Sequence, residues 1–568
     1  MGIMTPVQTG PVMNTAPELA ATETQALIDG LRDDLVKRRV RWAFEKLAAH
    51  RPLLEQLTPD QPRAASLVGQ LAIWTDAGFH DSATAKQLLA RFAPAARAQL
   101  PLAEYVQLRL GEGFVAMKDE ALAEAIGHLD FVLGLAGEVG EPETTLMAYL
   151  WKAQCHRKSG EYDHAMASVV AGERLARDLG YEAMGAILAT VEGWLQFQKG
   201  RNTEALETLQ AAEATLRETD DDTSLGNILS AYGRIAQAQG DYERAVQHFA
   251  ASIERFARVH PQHRNLARSL GNLAYVERLM ARQLRRKIDS SAAQRRRGNS
   301  REGEQSQGAG ADALGSVRMR FERLQAQALG HLDQAAAIYR KDRQRRGEGN
   351  LKITRGHIHL DNGDFDLAEK EAAEAYELGR EKEDFILMAR ARLLACMVEN
   401  AKLDEDVTED ELAADNSRHA HLAERYAVAA VKFAKHTQNQ QLLARAYIWL
   451  GLTQSNDHFA DMEGARHSLN LAMAAMKADP YQPHWDDLKT LKTRVIRGGS
   501  LDETLRSWSQ GAVGEKTFRE ISEEFAELII PKIWEREDRK IARVARKLSI
   551  SPKKVRRILV RTGAIERQ

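Results

Sequence analysis

The chain has 568 residues, with 79 Lys and Arg nearly balancing 80 Asp and Glu, so it is not a polyelectrolyte whose net charge names its partner. Aromatics at 6% and only 14 prolines, in a chain rich in alanine, leucine, glutamate and arginine, favour helix over strand. No apolar run of about 18 residues occurs, so no transmembrane helix is expected. The two cysteines, Cys155 and Cys396, lack a CxxC partner and read as buried free thiols of a reducing, cytoplasmic compartment.

Residues 1–24 hold Pro6, Pro11 and Pro17 and no basic start followed by an apolar core. They read as a disordered lead rather than a signal peptide. A helical array is expected over 25–281. Its beginning is weakly patterned, with Ala85 in phase. Then one alanine returns at a fixed interval of 40: Ala125, Ala165, Ala205, Ala245. The last three stand five residues after Gly160, Gly200 and Gly240, and a later copy places Ala368 after Gly363. Twelve residues before each alanine lies another small residue: Gly113, Ala153, Gly193, Gly233, Gly356. Leu129, Val169, Leu209 and Phe249 follow the first four alanines by one helical turn. Two small residues flanking a glycine turn describe two antiparallel helices whose backbones approach closely. A fixed period of this size means a solenoid, in which each unit buries its apolar face only by stacking on its neighbours.

These residues resemble the tetratricopeptide repeat, whose order of small residue, turn glycine, aromatic, alanine and large apolar residue is met in full by Gly233, Gly240, Tyr242, Ala245 and Phe249. The usual period of that family is about 34 residues, so helices longer than usual are expected. The resemblance implies an all-α fold, a right-handed α-superhelix of roughly 40-residue hairpins whose first helices line a concave groove. Projected on that groove, Trp151, Gln154, Trp194, Asn227, Arg234, Arg268 and Asn272 are candidate partner contacts: Asn and Arg for the backbone or carboxylates of a bound peptide, Trp for an apolar anchor. The competing reading makes the tryptophans packing residues between repeats and the Asn and Arg solvated.

Residues 282–313, rich in Arg, Ser, Gly and Gln, read as a flexible basic insert, either a solvated loop or an RNA contact. The array is expected to resume over 314–492, with a helix near 326–339, an acidic loop at 404–415 and further helices near 418–436, 441–455 and 461–478. Residues 493–512 read as a linker or short helix.

From 513 to 568 the character changes. Phe518, Ile521, Phe525, Leu528 and Ile529 form a helical stripe that Pro531 is expected to end or kink. The stripe is a candidate dimer face, or packs on the array. Ile541, Val544, Ala545 and Leu548 then mark one helix, Ser549 and Ile550 a turn, and Ser551 and Pro552 the cap and first residue of a second helix that buries Val555, Ile558 and Leu559 and ends at Gly563. This layout resembles the Fis-type helix-turn-helix, with Ser549 in place of the turn glycine, Lys554 in place of the usual threonine and Val555 in place of leucine. The resemblance implies DNA binding and a possible homodimer. Twelve Lys and Arg against three Asp and Glu from Arg536 to Gln568 agree with a phosphate-seeking surface. Arg543, Ser551, Lys553, Lys554, Arg556, Arg557 and Arg561 are the candidate DNA contacts.

No GxxxxGK[ST] loop, HExxH, CxxC or GxSxG occurs. His357/His359 and His419/His421 are i,i+2 pairs whose side chains diverge on a helix, so no metal site, cofactor or catalytic residue is expected. Taken together, the sequence predicts a DNA-binding transcriptional regulator, bacterial and cytoplasmic, whose array binds a protein or peptide. The alternative is a non-enzymatic scaffold whose basic module docks a partner or binds nucleic acid without sequence preference.

Overall fold

Every regular element among the described residues is a helix. The structure, a computed structural model, describes residues 16–79, 82–298, 307–341, 343–406, 413–476, 484–498, 517–537, 539–562 and 564–565. The chain divides into two compact units, Met1–Lys489 and Thr490–Gln568.

The first unit opens with α1 (Ala16–Lys37), α2 (Val40–Ala49), α3 (Arg51–Glu55), α4 (Ala64–Ala77), α5 (Ser82–Arg91) and α6 (Pro94–Arg97). It continues with α7 (Leu102–Lys118), α8 (Leu122–Gly134), α9 (Ala136–Val139), α10 (Pro142–Ser159), α11 (Tyr162–Leu179), α12 (Glu182–Gln198), α13 (Asn202–Leu216), α14 (Asp222–Gln239) and α15 (Tyr242–Val259). Then come α16 (Arg264–Gly298), α17 (Gln307–Lys341), α18 (Arg345–Asn362), α19 (Phe365–Glu381), α20 (Phe385–Asp406), α21 (Ala413–Lys435), α22 (Gln440–Gln454) and α23 (Met462–Ala475), and α24 (Trp485–Gly498) begins in this unit and continues past Lys489 into the second. From α7 onward the long helices pair in sequence as antiparallel hairpins, and each hairpin packs on the next.

The periodic residues do what their spacing predicts. Ala125, Ala165, Ala205, Ala245 and Ala368 are all fully buried at the helix crossings. A Cβ on Gly233 would stand 2.8 Å from the Phe249 ring, and one on Gly193 2.7 Å from Leu209, so the large apolar residue of the second helix rests directly on the glycine of the first. At the turn, Gly160, Gly200, Gly240 and Gly363 have φ of 85°, 77°, 82° and 86°, the left-handed backbone that glycine adopts without a Cβ clash. Glu120 and Ala460 occupy the same place, five residues before Ala125 and Ala465, and take φ of 60° and 50°.

Several expected boundaries are corrected. Helix α1 starts at Ala16, so residues 16–24 are not part of a disordered lead, and Thr24 is already buried. Residues 282–298 and 307–313 belong to α16 and α17, each 35 residues long, which pair as one lengthened hairpin. Arg, Gln and Ala are good helix formers, and they outweigh the few glycines and serines of that stretch. The acidic stretch narrows in the same way, because α20 runs to Asp406 and α21 begins at Ala413. Residues 493–498 lie in α24, and the rest of the expected linker lies outside the described residues.

Contacts between hairpins far apart in sequence draw the first unit together. Arg38 Nε donates to Asp221 Oδ2 at 2.7 Å with both side chains buried, and Thr223 Oγ1 donates to the Ala77 carbonyl at 2.6 Å. Gln438 N donates to the Gly160 carbonyl at 2.9 Å, and Asp163 N to Gln438 Oε1 at 2.7 Å. Gln344 and Arg346 reach the turn after α7, through the Lys118 carbonyl and the Glu120 carboxylate. The turns of early hairpins therefore meet the starts of later ones.

After the end of α24 the second unit holds α25 (Phe518–Arg536), α26 (Ile541–Lys547) and α27 (Pro552–Arg561). Its core is Ile530, Val544, Ala545, Val555, Ile558 and Leu559, with Ala526, Ile533 and Trp534 against it. Pro531 sits inside α25 and does not end it, which leaves the kinked form of the two expected outcomes. The missing hydrogen bond is outweighed because Ile530 and Ile533 on either side are anchored in this core. Phe518 and Phe525 of the expected stripe are exposed, and Ile530, next to the stripe, is buried in the core with residues of α26 and α27.

Candidate partner-binding face and basic C-terminal module

Between neighbouring repeats the first helices exchange polar contacts at corresponding positions. Arg268 donates to Asn227 Oδ1 at 2.7 Å, Arg390 to Asn350 Oδ1 at 2.7 Å and Arg234 to Asn272 Oδ1 at 3.4 Å. Each bond joins residues close to one repeat apart and fixes an arginine on the face that the first helices share. Cations crowd around this ladder. Arg157 lies within the repulsive field of Arg264, Arg268 and Arg346, Lys158 within that of Arg264 and Arg346, and Arg390 within that of Arg234 and Arg346. Burial, then the neighbouring Arg264, pulls the Lys118 ammonium down to about 7. Burial likewise lowers Arg268 and Arg390 to about 10.

Few carboxylates answer them. Asp76 binds Lys118 at 3.3 Å and Arg264 at 3.2 Å. Burial alone would raise its carboxyl, but these cations and the Trp151 N–H hold it below the usual range. Asp384 pairs with Arg346 at 3.1 Å. Glu120, raised by burial, accepts from the Arg346 backbone N–H. Among the described residues Arg157, Lys158, Arg234, Arg268 and Arg390 make no ion pair, and Arg234 Nε is buried without a hydrogen-bond partner. Partly buried cations without an ion pair are costly in a protein, which makes this face a candidate place for an anion.

Of the seven groove candidates, Asn227, Arg234, Arg268 and Asn272 lie on this ladder. Trp194 stands beside it, with the Arg157 guanidinium 4.7 Å over its ring and Tyr162 edge-on at 5.9 Å. Gln154 is partly exposed on α10. Trp151 is a correction: it is fully buried, packs 5.1 Å from Phe114 and donates its indole N–H to Asp76 at 2.8 Å. Its apolar bulk finds more burial between repeats than in the groove. Sequence reasoning missed Lys118, Arg157, Lys158, Arg264, Arg346 and Arg390. The available signal was the basic last turn of α7 and α10, which by itself also reads as ordinary helix-end charge.

In the second unit, α26 and α27 meet through a turn in which Ser549 has φ of 53°, the left-handed geometry that a glycine would take there. Ser551 caps α27 by accepting the Lys554 N–H at 3.2 Å, with Pro552 at the first position. Lys553, Lys554, Arg556 and Arg543 are exposed. Arg561 pairs with Glu527 at 2.9 Å and Glu523 at 3.4 Å, and Arg557 with Glu523 at 3.9 Å, so α25 partly neutralises two of the candidate DNA contacts. Gly563 lies outside the described residues.

The HxH pairs diverge as expected of a helix. His357 is buried beside Arg445, whereas His359 faces Asp364. His419 bonds Glu399, whereas His421 meets His458 and Phe459 edge-on. Burial pushes the free Cys155 and Cys396 thiols up to about 11 and about 12, which leaves them unreactive.

The family match falls on α14, α15 and the start of α16. Residues 224–284 match the tetratricopeptide repeat family. This stretch contains the hairpin in which all five repeat places are filled. Two solved structures are similar to the chain, monomeric mutants of IFIT1 with Gppp-AAAA and with m7Gppp-AAAA. Each aligns at a TM-score of 0.42 and 12% identity over 85% of this chain and 95% of the other. No functional statement about this chain follows from that likeness. No match was found among curated proteins. No helix among the described residues is long and apolar enough to cross a membrane.

Proposed function

We propose that this chain is a non-enzymatic helical-repeat scaffold that holds an acidic segment of a partner protein against the first helices of its array. The observation that carries this is the set of partly buried arginines and lysines, Arg157, Lys158, Arg234, Arg268 and Arg390, without ion pairs among the described residues. A carboxylate-bearing segment would relieve their mutual repulsion and gain charge-assisted hydrogen bonds. The ladder from Asn227 and Arg268 to Asn350 and Arg390 holds the guanidinium groups in place before binding, which lowers the ordering cost. A protein segment fits better than single-stranded nucleic acid, which recruits free aromatic faces for its bases. The ring beside the ladder, Trp194, is already covered by Arg157 and Tyr162.

The test is binding of a labelled oligoglutamate peptide to the full-length chain and to the triple variant Arg157→Gln, Arg268→Gln, Arg390→Gln. The variant is expected to lose at least about tenfold in affinity while keeping its helical content. Unchanged affinity, or tighter binding of a single-stranded RNA of equal charge, would overturn the reading.

A second reading concerns the second unit. Its turn geometry at Ser549, its capped α27 and the exposed Lys553, Lys554 and Arg556 support a helix-turn-helix that binds DNA, which would make the chain a transcriptional regulator with the array as its sensing part. Surface pairs of the kind Arg557 and Arg561 make are worth about 0–1 kcal/mol, so phosphate can displace their carboxylates. Lys553→Glu with Lys554→Glu should weaken duplex DNA binding and flatten its salt dependence. A regulator further requires preference for one fragment over competitor DNA, and sequence-blind binding would leave only the scaffold.

A further inference from the structure

At the turn between α10 and α11 three side chains of metal-ligating type converge. His156 in the last turn of α10, Glu161 at the N-cap of α11 and His164 in its first turn each bring a donor atom within 4.8 Å of the others. His156 Nδ1 lies 2.6 Å from Glu161 Oε2, and His164 Nδ1 lies 4.0 Å from the same oxygen. The two imidazole centroids are 5.2 Å apart.

The other hairpins provide an internal comparison. At the α18/α19 turn the corresponding residues are His359, Asp364 and Leu367, and His359 faces Asp364 at 3.7 Å. At α14/α15 they are Ala236, Asp241 and Arg244, with Asp241 and Arg244 paired at 3.4 Å. At α12/α13 they are Gln196, Arg201 and Glu204, with Arg201 and Glu204 paired at 3.0 Å. A polar clasp at this turn is thus a recurrent structural device. Among these four turns, three potential ligands coincide only at His156, Glu161 and His164.

We propose that His156, Glu161 and His164 form a three-donor site for a borderline divalent transition ion of the zinc class. Two imidazoles and one carboxylate suit such an ion, whereas calcium and magnesium take oxygen donors. Bonds of about 2.0–2.1 Å in a tetrahedron set donors roughly 3.3 Å apart. The His156–Glu161 hydrogen bond therefore opens slightly and His164 swings inward. The burial pattern allows this: the His156 side chain is 10% exposed and acts as the fixed anchor, while Glu161 at 47% and His164 at 73% are free to rotate. The C-terminal end of α10 favours a cation, the N-terminal end of α11 opposes it, and the Glu161 carboxylate tips the balance. The turn is also held from outside, because Gln438 bonds both Gly160 and Asp163. Three protein donors leave a fourth position facing solvent, open to water or to a donor from a partner.

The test is calorimetric titration of the full-length chain with zinc chloride, with cobalt(II) absorption as the signature of tetrahedral ligation. One equivalent is expected to bind, and His164→Ala, at an exposed position, should lower affinity at least tenfold without altering the melt of the metal-free protein. Leu367→His should add a second equivalent by completing the His359–Asp364 turn. Absence of zinc binding by the folded wild-type chain would overturn the proposal, as would His164→Ala retaining one equivalent at wild-type affinity.

Discussion

Ala460 and Glu120 adopt a backbone that alanine and glutamate resist, because the hairpin turn dictates it and no glycine was available. Relieving that strain should stabilise the fold: Ala460→Gly is expected to gain roughly 0.5–1 kcal/mol, read from a urea melt, and a loss would mean that the turn is not strained. The opposite change at a crossing should destabilise. Gly233→Ala places a methyl 2.8 Å from the Phe249 ring and should cost about 1–3 kcal/mol by the same measurement. These positions show what the sequence made legible. The interval between small residues placed the helix crossings and the turns, and the structure buries the alanine of each pair from Gly113/Ala125 to Gly356/Ala368 at such a crossing. It could not reveal that Trp151 serves the core, since an indole at a helix position suits either a groove or a repeat interface until burial is known. Nor could it reveal Lys118, whose ammonium meets Asp76 from α4, Lys158 from α10 and Arg264 from α16, groups far apart in the chain. With its folded value depressed to about 7 and its unfolded value near 10.4, the folded state carries fewer protons than the unfolded state between those limits. The charged-state penalty is present below about pH 7 and lifts as pH rises through that window. Lys118→Met should therefore flatten the rise of stability with pH above 7, and an unchanged slope would assign it to other groups.

Among the elements, α14 begins at a residue that is tied twice. Asp221 caps it by accepting the Ser224 N–H at 2.9 Å and is at the same time the buried partner of Arg38. Asp241 caps α15 in the same way, accepting the Arg244 N–H at 3.1 Å, but with an exposed partner. The two substitutions to alanine should separate cleanly. Asp241→Ala should cost about 1 kcal/mol, the worth of a cap, whereas Asp221→Ala should cost about 3–5 kcal/mol because it strands a buried guanidinium. Equal costs in denaturant melts would show that the Arg38 contact adds nothing. The pairing of α16 with α17 was hidden for a compositional reason: an Arg- and Gln-rich stretch satisfies both a flexible insert and a solvated helix, and only its partner helix decides. In the second unit, the capped second helix and the apolar positions of the turn motif were legible. The salt bridges from α25 to Arg557 and Arg561 were not, because they join residues more than 30 positions apart.

At the scale of the whole first unit, a repeat array stabilised only by neighbours would unfold piecemeal. Contacts such as Arg38 with Asp221, Gly160 with Gln438 and Lys118 with Gln344 tie distant hairpins and should make unfolding more cooperative. The same closure brings cations from α7, α10, α16, α18 and α20 within reach of one another, which is the basis of the proposal that the first helices hold an acidic partner segment. The most direct measurement is hydrogen exchange of the full-length chain with and without oligoglutamate. Slowed exchange concentrated in α10, α16 and α20, with α11, α17 and α21 unaffected, is the predicted result. Protection confined to the second helices of the hairpins, or to α26 and α27 alone, would contradict an inner binding face.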